Sequence, residues 1–428
     1  MALYHQTGNQ NKILFVNGFS PAQRAAVDKY SALVPDKLSP IVLYDHKKEI
    51  PSWVKEDKDV TILTADFTDI DDLQNVMKPH VEDILTATFL GEYNAPNFRK
   101  IIPLIPNCVL PTETSLKWTT EKIKMRGLLR NYDKTIAPNF AVASDATPET
   151  IERLEKKIGY PLVVKPSGLA ASLLVSICYH REELEQVLKQ TIKKMNQIYK
   201  LKKGRGEPAI LVEEFMEGDM YSIDAYVNAR GVIYFAPLVY VKTGREIGFD
   251  DFFGYMRMTP TQLNAPHTEE AQEAATKGIK ALGMRSTTCH IELMRTEKGW
   301  KVTELGPRIG GNRHDMYELS FGIDHTLNDL LIRNSRKPIL PKKVKGYTAV
   351  MEFYAKEEGK LQKIQGLFKI EVLSSIQRIK VLKEPGDKCT FAKSGGDPVL
   401  RIVLFDPIRS NLLADIRRVE QYLKIIVV

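Results

Sequence analysis

Short apolar runs alternate with amphipathic stretches in the first part of the chain. The segments 12–18, 40–45 and 60–64 have the pattern of buried strands, and helical patterns separate them. Strands that alternate with helices are typical of an α/β arrangement. We therefore expect an N-terminal α/β domain over residues 1–110.

Residues 111–335 keep this mixture of helices and strands. The predicted elements are a helical stretch at 119–132, a strand at 136–142, a helix at 148–158, strands at 160–166 and 173–178, a helix at 182–199 and a strand at 209–215. Thr147 followed by Pro148 is a typical helix start. Beyond residue 335 the pattern changes to short strands and turns, which predicts a separate β-rich unit over 336–428, closed by a helix at 410–422.

Two strand patterns, at 289–295 and 300–306, flank the residues Glu297, Lys298 and Gly299. A three-residue hairpin loop with glycine in its last position fits this spacing. With Thr296 opposite Trp300, the same register places Glu292 opposite Glu304. We therefore expect two carboxylates side by side on one face of a sheet.

Carboxylates directly opposite each other destabilise a sheet unless a positive charge offsets their repulsion. Two rigid carboxylates suit Mg²⁺, which takes oxygen ligands and usually shares them with phosphates. A solvated surface hairpin, with its charges relieved by Lys301 or Arg295, is the alternative that these residues leave open.

Composition narrows the class of protein. The chain has 428 residues, of which 43% are hydrophobic and 27% charged, and this balance is ordinary for a globular protein. No apolar run is long enough to span a bilayer, and the N-terminus lacks the pattern of a secretory signal, so we expect a cytoplasmic protein without a membrane partner. Four scattered cysteines indicate reduced core residues. The net charge of +8 could attract a polyanion, but without a nucleic-acid-binding motif we expect no nucleic-acid partner.

The order of the chemical groups resembles the ATP-grasp superfamily, and within it the carboxylate–amine ligases that make dipeptides, the L-amino-acid ligases. These groups are a helix-start lysine, a strand-end lysine before a small-residue loop, a strand ending in Glu-Glu-Phe-Met, and the two-carboxylate hairpin. The resemblance implies an α/β (α+β) ATP-grasp fold: an N-terminal α/β domain, a central ATP-grasp domain at 111–335 with a mobile lid at about 148–215, and the C-terminal β-rich unit.

The resemblance also implies roles for particular residues. Lys122 and Lys165 match lysines that contact the phosphates of ATP, and Ser172 belongs to the loop over those phosphates. The adenine would be held by the linker segment, which consists of Glu213, Glu214, Phe215 and Met216. Glu292 and Glu304 match the two Mg²⁺ carboxylates; two Mg²⁺ ions are expected, and Mn²⁺ could replace them.

Three positions depart from the family pattern. The phosphate loop is poor in glycine, with Ala170 and Ala171 in place of glycines. Met220 stands where an acid usually binds the ribose, so Asp219 or Glu217 would have to take that role. Gly306 replaces an asparagine, so one metal ligand of the family is missing.

The implied reaction joins a carboxylate to an amine through an acyl phosphate, with ATP as the source of energy. Arg308 and Lys165 would act in catalysis. The resemblance places the substrates, two small amino or carboxylic acids, near Glu92, Arg257, Arg308, Asn312 and Arg313. It also allows a homodimer. Two alternatives stay open: an ATP-grasp enzyme of purine-formyltransferase or biotin-carboxylase type that acts on formate or bicarbonate, and a nucleotide-binding module without turnover.

Overall fold

The computed structural model describes residues 10–167, 174–202 and 209–428. Its first sheet is parallel, in the order β3-β2-β1-β4. The strands are β1 (Lys12–Val16), β2 (Ser39–Asp45), β3 (Thr61–Ala65) and β4 (Ile84–Phe89), and the helices are α1 (Pro21–Ser31), α2 (Ser52–Glu56), α3 (Ile70–Met77) and α4 (Ala95–Ile101). The strands predicted at 12–18, 40–45 and 60–64 are therefore confirmed.

The predicted helical stretch at 119–132 is in fact two helices, α5 (Glu113–Thr120) and α6 (Lys122–Tyr132). Glu121 interrupts them with a non-helical ψ of 88°. Lys122 is thus the first residue of a helix, as expected. The strand predicted at 136–142 begins later, at β5 (Phe140–Ala143), because residues 134–136 form a 3₁₀ turn.

A small antiparallel sheet in the order β5-β8-β6-β7 follows. Its elements are α7 (Pro148–Lys157), β6 (Leu162–Pro166), β7 (Ser176–Cys178), α8 (Arg181–Lys202) and β8 (Ile210–Glu214). Thr147 caps α7 by accepting a hydrogen bond from the Thr150 amide. Leu184 and Leu188 of α8 pack in one buried cluster with Val164 and Ile210 of this sheet.

The largest sheet, which we call the central sheet, has the order β14-β13-β9-β11-β12-β15-β19-β17, with β10 paired to β9. Its strands are β9 (Asp219–Val227), β10 (Ile233–Phe235), β11 (Val239–Thr243), β12 (Gly254–Thr259), β13 (Thr287–Thr296), β14 (Gly299–Gly306), β15 (Tyr347–Phe353), β17 (Ile376–Val381) and β19 (Leu400–Asp406). The helices of this region are α9 (Ala265–Ala281), α10 (Arg313–Phe321), α11 (His325–Arg333), α12 (Leu367–Glu371) and α13 (Arg409–Tyr422). A separate three-stranded sheet in the order β18-β16-β20 consists of β16 (Gly359–Gln365), β18 (Lys388–Cys389) and β20 (Lys424–Val427).

Successive residues of β13 and β9 point to opposite faces of this sheet. Ile291 and Ile223 lie in the main apolar cluster, together with Ala275 and Ile279 of α9. The other face carries polar groups at the paired positions Glu292 and Ser222. The sheet therefore has one apolar face and one face that carries the candidate chemistry.

Two features of the C-terminal region were not expected from the sequence. Strands β15, β19 and β17 hydrogen-bond into the same sheet as the Glu292 hairpin, so this region continues the central sheet. The chain does not close with the helix at 410–422, because β20 follows α13 and pairs with β16. Among the described residues, no helix is long and apolar enough to cross a membrane. The four cysteines are free thiols, as predicted, and Cys178, Cys289 and Cys389 are buried.

Candidate active site

The hairpin brings Glu292 opposite Glu304, as predicted, but by a different route. Thr296 pairs with Gly299, so the turn is one residue shorter than expected. That register alone would place Thr303 opposite Glu292. A β-bulge between Glu292 and Leu293 leaves Thr303 as an extra residue on β14, so that Glu292 lies opposite Glu304. The bulge is therefore the local feature that forms the pair.

Arg126, which the sequence reading did not single out, supports this bulge. Its guanidinium donates to the carbonyl oxygens of Val302 and Thr303. It also forms an ion pair with Glu213 at the end of β8. Arg126 is one helical turn beyond Lys122 on α6, so the two side chains lie on the same face of the helix. One buried arginine therefore fixes both the carboxylate hairpin and the end of the small sheet.

Lys122 lies beside the carboxylate pair. Its Nζ is 3.4 Å from an Oε atom of Glu304. Burial alone would lower the pKa of Lys122, but the nearby carboxylates of Glu304, Glu92 and Glu292 raise it above its ordinary value. A protonated ammonium is thus held next to the two carboxylates and offsets their repulsion.

Lys165 forms an ion pair with Glu213. Burial lowers the pKa of Lys165, Glu213 raises it, and the positive charges of Arg126 and Lys122 lower it further. The two predicted phosphate lysines are connected through Arg126, which lies one turn from Lys122 on α6 and shares Glu213 with Lys165. Burial would raise the pKa of Glu213, but its two cationic partners lower it to about 2.

The linker segment has most of its polar groups engaged within the protein. The side chain of Glu213 holds Arg126 and Lys165, and that of Glu214 accepts from the Asn139 amide and from Lys298. The amides of Glu214 and Phe215 donate to the carbonyls of Asn139 and Pro161. These contacts occupy the side-chain oxygens that the resemblance assigned to adenine.

The other predicted nucleotide residues are less enclosed. The guanidinium carbon of Arg245 lies 5.5 Å from the ring centroid of Phe215. Met216 is partly buried, and Asp219 is exposed at the start of β9. Ser172 falls outside the described residues, as do Ala170 and Ala171.

A buried hydrogen-bond chain leads to Glu292 and was also missed from the sequence. Tyr226 bonds to His325 at 2.6 Å, His325 to Asp224 at 2.6 Å, and Asp224 to His290 at 2.6 Å. The other ring nitrogen of His290 is 3.8 Å from Glu292. Burial would lower the pKa of His290, whereas Asp224 and Glu292 raise it. The alternation of His290 and Glu292 along one strand is the sequence signal that could have revealed this contact.

Asp224 also connects Glu292 to the segment that carries Arg308, because it accepts from the Gly310 amide at 2.7 Å. Arg308 donates to Glu92 at 3.1 Å. The Glu92 carboxylate lies directly over Gly306: a Cβ atom built at residue 306 would be 3.2 Å from Glu92 Oε2. Glu92 therefore borders position 306, where the resemblance implied an asparagine.

The remaining predicted substrate residues fall into two groups. Arg257 and Asn312 both contact Glu352, at 3.0 and 3.5 Å. Arg313 is 2% exposed and donates to the Ser222 hydroxyl at 2.6 Å. Glu352 is a further residue that the sequence analysis did not identify.

These donors can be compared with the needs of Mg²⁺. Glu292 and Glu304 are hard oxygen donors, their side chains are 34% and 31% exposed, and a lysine ammonium already lies beside them. In the described part of the chain, no group of three or more histidine, cysteine or acidic side chains is arranged to hold a metal ion. Mg²⁺ commonly uses one or two protein carboxylates, with water and phosphate oxygens in the other positions. The residues present fit that pattern.

Comparison with known proteins gives a consistent result. Residues 158–315 match the model of the ATP-grasp domain family. The chain is 27% identical over 217 residues to the alanine–anticapsin ligase of Bacillus amyloliquefaciens. The aligned segment covers 48% of this chain and 44% of that protein. It spans about half the length of the curated relatives that it matches.

Solved structures extend the likeness over the whole fold. The L-amino acid ligase from Bacillus licheniformis superposes with a TM-score of 0.74 at 20% identity, over 99% of this chain and 100% of the other. The N5-carboxyaminoimidazole ribonucleotide synthetase from Thermotoga maritima gives 0.67 at 16% identity, over 98% and 100%. The predicted fold class is thereby confirmed.

Proposed function

We propose, from the premise that this chain has an ATP-grasp domain, that it is an ATP-dependent ligase that joins a carboxylate to an amine through an acyl phosphate. The carboxylate and the amine would both belong to amino acids. The main support is one arrangement: Lys122 lies against the facing carboxylates Glu292 and Glu304, and Arg126, one helical turn further along α6, shares the Glu213 carboxylate with Lys165.

Phosphoryl transfer requires mainly positioning and neutralisation of charge. Lys122 and Lys165 would contact the phosphates. Lys165 would exchange its ion pair with Glu213 for a contact with a phosphate oxygen of ATP. Glu292 and Glu304 would hold Mg²⁺, two ions being expected and Mn²⁺ an acceptable substitute, which would neutralise the phosphate charge. For adenine, the backbone beyond Phe215 is the remaining candidate, because the amides of Glu214 and Phe215 already donate to protein carbonyls.

The second step would be attack by the amine on the acyl phosphate. A tetrahedral intermediate then expels phosphate, which keeps the bridging oxygen of the original carboxylate. Arg308 would stabilise the developing oxyanion. Glu92, which pairs with Arg308 in this structure, would exchange that contact for the ammonium of a substrate.

The domain boundaries near residues 110 and 335, a lid at about 148–215 and a homodimer are parts of the same proposal. The acyl phosphate is sensitive to water, so a lid that closes over it would protect the reaction. Two segments of that range, 168–173 and 203–208, lie outside the described residues.

A pairwise amino-acid screen that reads phosphate release, followed by mass spectrometry of the products, tests this function. Glu304→Gln should abolish turnover, because it removes a carboxylate charge from the metal pair. Glu297→Gln, at an exposed position in the loop of the same hairpin, is the matched control. Wild-type rates in Glu304→Gln, with an unchanged circular dichroism spectrum, would contradict the metal assignment.

The same screen separates the two alternatives. Turnover with formate or bicarbonate, and none with any amino-acid pair, would favour an enzyme of formyltransferase or carboxylase type. ATP binding without ADP release for any mixture would favour a nucleotide-binding module.

A further inference from the structure

The face of the central sheet that carries Glu292 also carries a group of arginines further along. The opposed pairs on this face are Glu292 with Ser222, Ser222 with Val239, Val241 with Arg257, Arg257 with Val350, and Glu352 with Arg401. Val239 and Val241 share a face, as do Val350 and Glu352, because side chains alternate along a strand. The acidic hairpin and these arginines therefore lie on one continuous surface.

Glu352 is at the centre of this second group. Arg401 donates to one of its oxygens through Nε at 2.8 Å and lies 2.6 Å away through Nη2. Asn312 donates to the same oxygen at 3.5 Å, and Arg257 donates to the other oxygen at 3.0 Å. We call these four residues the Glu352 cluster. Its members come from β12, β15, β19 and the residue preceding α10.

The cluster carries two positive charges and one negative charge. Arg257 and Arg401 share the single carboxylate of Glu352. Burial lowers the pKa of Arg313 and the charge of Arg257 lowers it further, while Tyr317, Asp224 and Glu292 raise it. Arg313 is 2% exposed, and its Nε has no hydrogen-bond partner among the described residues. Buried cations are unfavourable without compensating negative charge, and an anionic ligand beside Arg257 and Arg401 would add that charge.

The position of the cluster indicates which part of a substrate would reach it. Asn312 is four residues beyond Arg308, so the cluster borders the candidate active site. Arg257 is three strands from Glu292, which corresponds to roughly 15 Å between backbones. The Mg²⁺ and the transferred phosphate would lie between the two places, so the reacting group of a bound amino acid need not reach Glu292 itself and its second carboxylate can point towards the cluster. The side chain of Arg401 is 34% exposed, so a ligand can reach it.

We propose that the Glu352 cluster binds a carboxylate of the substrate that is remote from the reacting group, and that the enzyme therefore selects a dicarboxylic amino acid. Arg401 is the specificity-determining residue, since its planar guanidinium can hold a carboxylate through two parallel hydrogen bonds. Glu352 keeps the two arginines in place before the substrate arrives. This inference rests on the proposed ligase function.

The test compares L-glutamate and L-aspartate with their isosteric amides, L-glutamine and L-asparagine, in the phosphate-release assay with saturating ATP and Mg²⁺. The acids should be preferred in kcat/KM by at least about tenfold, because a hydrogen bond between charged groups contributes about 1.5–3 kcal/mol. Arg401→Met should lower kcat/KM for the acids by about 10- to 100-fold, mainly through KM, and leave the amides unaffected. The kcat/KM of Arg401→Lys for the acids should lie between those of the wild type and Arg401→Met, because lysine keeps the positive charge but lacks the planar guanidinium.

Lys380→Met is the matched control. Lys380 is paired with Arg401 on β17, one strand further from the hairpin, and is exposed. Lys380→Met removes one positive charge, as Arg401→Met does, but from outside the Glu352 cluster. We therefore expect the preference for acids to stay unchanged. Arg401→Met also takes one of two cationic partners from Glu352 and should lower the thermal midpoint, so an unchanged kcat/KM for the amides is the result that separates recognition from folding.

A separate binding measurement distinguishes failure of this inference from failure of the proposed function. Calorimetry with L-glutamate and a non-hydrolysable ATP analogue should show binding that Arg401→Met weakens at least tenfold, whether or not any substrate pair is turned over. Three results would overturn the inference: equal use or binding of acids and amides, an unchanged preference in Arg401→Met, or preference for a phosphorylated substrate.

Discussion

Replacement of Glu213 by glutamine is a sharp test of how this site is held together. The side chain is 2% exposed and forms ion pairs with both Arg126 and Lys165. Arg126 in turn holds the backbone of the bulge beside Glu304. Glutamine has nearly the same shape, so Glu213→Gln removes the negative charge and leaves two buried cations without their counter-ion.

The expected cost can be obtained in two ways. The surroundings of Glu213 lower its pKa from 4.5 to about 2. At about 1.4 kcal/mol per pKa unit, this shift corresponds to about 3 kcal/mol of stability at neutral pH. Removal of one partner from a buried ion pair typically costs about 3–5 kcal/mol. We therefore expect Glu213→Gln to lower the free energy of unfolding by at least about 3 kcal/mol.

Equilibrium unfolding in urea, followed by circular dichroism, measures the loss in free energy of unfolding. The control is Glu217→Gln, at an exposed position two residues beyond Phe215 of the linker segment. The sign of the pH dependence follows from the lowered pKa. The carboxylate contributes fully above the unfolded-state pKa of about 4.5 and loses its contribution as the pH falls towards 2. The difference between wild type and Glu213→Gln should therefore shrink by about 1 kcal/mol between pH 7 and pH 4.

A loss below about 0.5 kcal/mol in Glu213→Gln, or the same loss in Glu217→Gln, would refute the reasoning, because an exposed charge typically contributes no more than that. A difference that grows as the pH falls would contradict the direction of the pKa shift.

Two further substitutions test the surroundings of the site. Gly310→Ala should lower the free energy of unfolding by about 1–3 kcal/mol, since a Cβ there would lie 2.5 Å from His290 Nδ1 and 2.6 Å from Arg313 Cγ; the same urea titration on Gly311→Ala, where a Cβ meets nothing within 4 Å, is the control, and equal losses would contradict the crowding. Thr147→Ala should cost about 0.5–2 kcal/mol by removing the cap of α7, and a thermal midpoint equal to that of the wild type would show that the cap contributes nothing.

Local patterns were sufficient to predict much of the fold. The strands around Ile41 and Val164 and the helix start at Thr147 follow from apolar runs and capping residues that are close in sequence. The end of the chain was harder to predict. The pairing of β20 with β16 joins segments about sixty residues apart, and no local pattern specifies such a partner.

The candidate site shows the same division. The spacing of the hairpin predicted that Glu292 lies opposite Glu304. In the structure, a shorter turn together with a bulge at Thr303 gives this pairing. Bulges depend on contacts from elsewhere, here Arg126 on α6, so the sequence of the hairpin could not reveal this one.

Residues joined only by the fold could not be found from the sequence. Arg401 meets Glu352 because β19 lies beside β15, and His290 meets Asp224 because β13 lies beside β9. Each of these residues has an ordinary strand pattern around it. Their importance follows from sheet order, which a single sequence leaves open.

The central claim is that ATP activates a carboxylate as an acyl phosphate, and isotope transfer tests it most directly. A donor amino acid labelled with ¹⁸O in its carboxylate is incubated with ATP, Mg²⁺ and an acceptor amine, and the released phosphate is analysed by mass spectrometry. The account predicts one ¹⁸O atom in each phosphate, together with ADP and an amide in equal amounts. Unlabelled phosphate, or AMP and pyrophosphate in place of ADP, would contradict it.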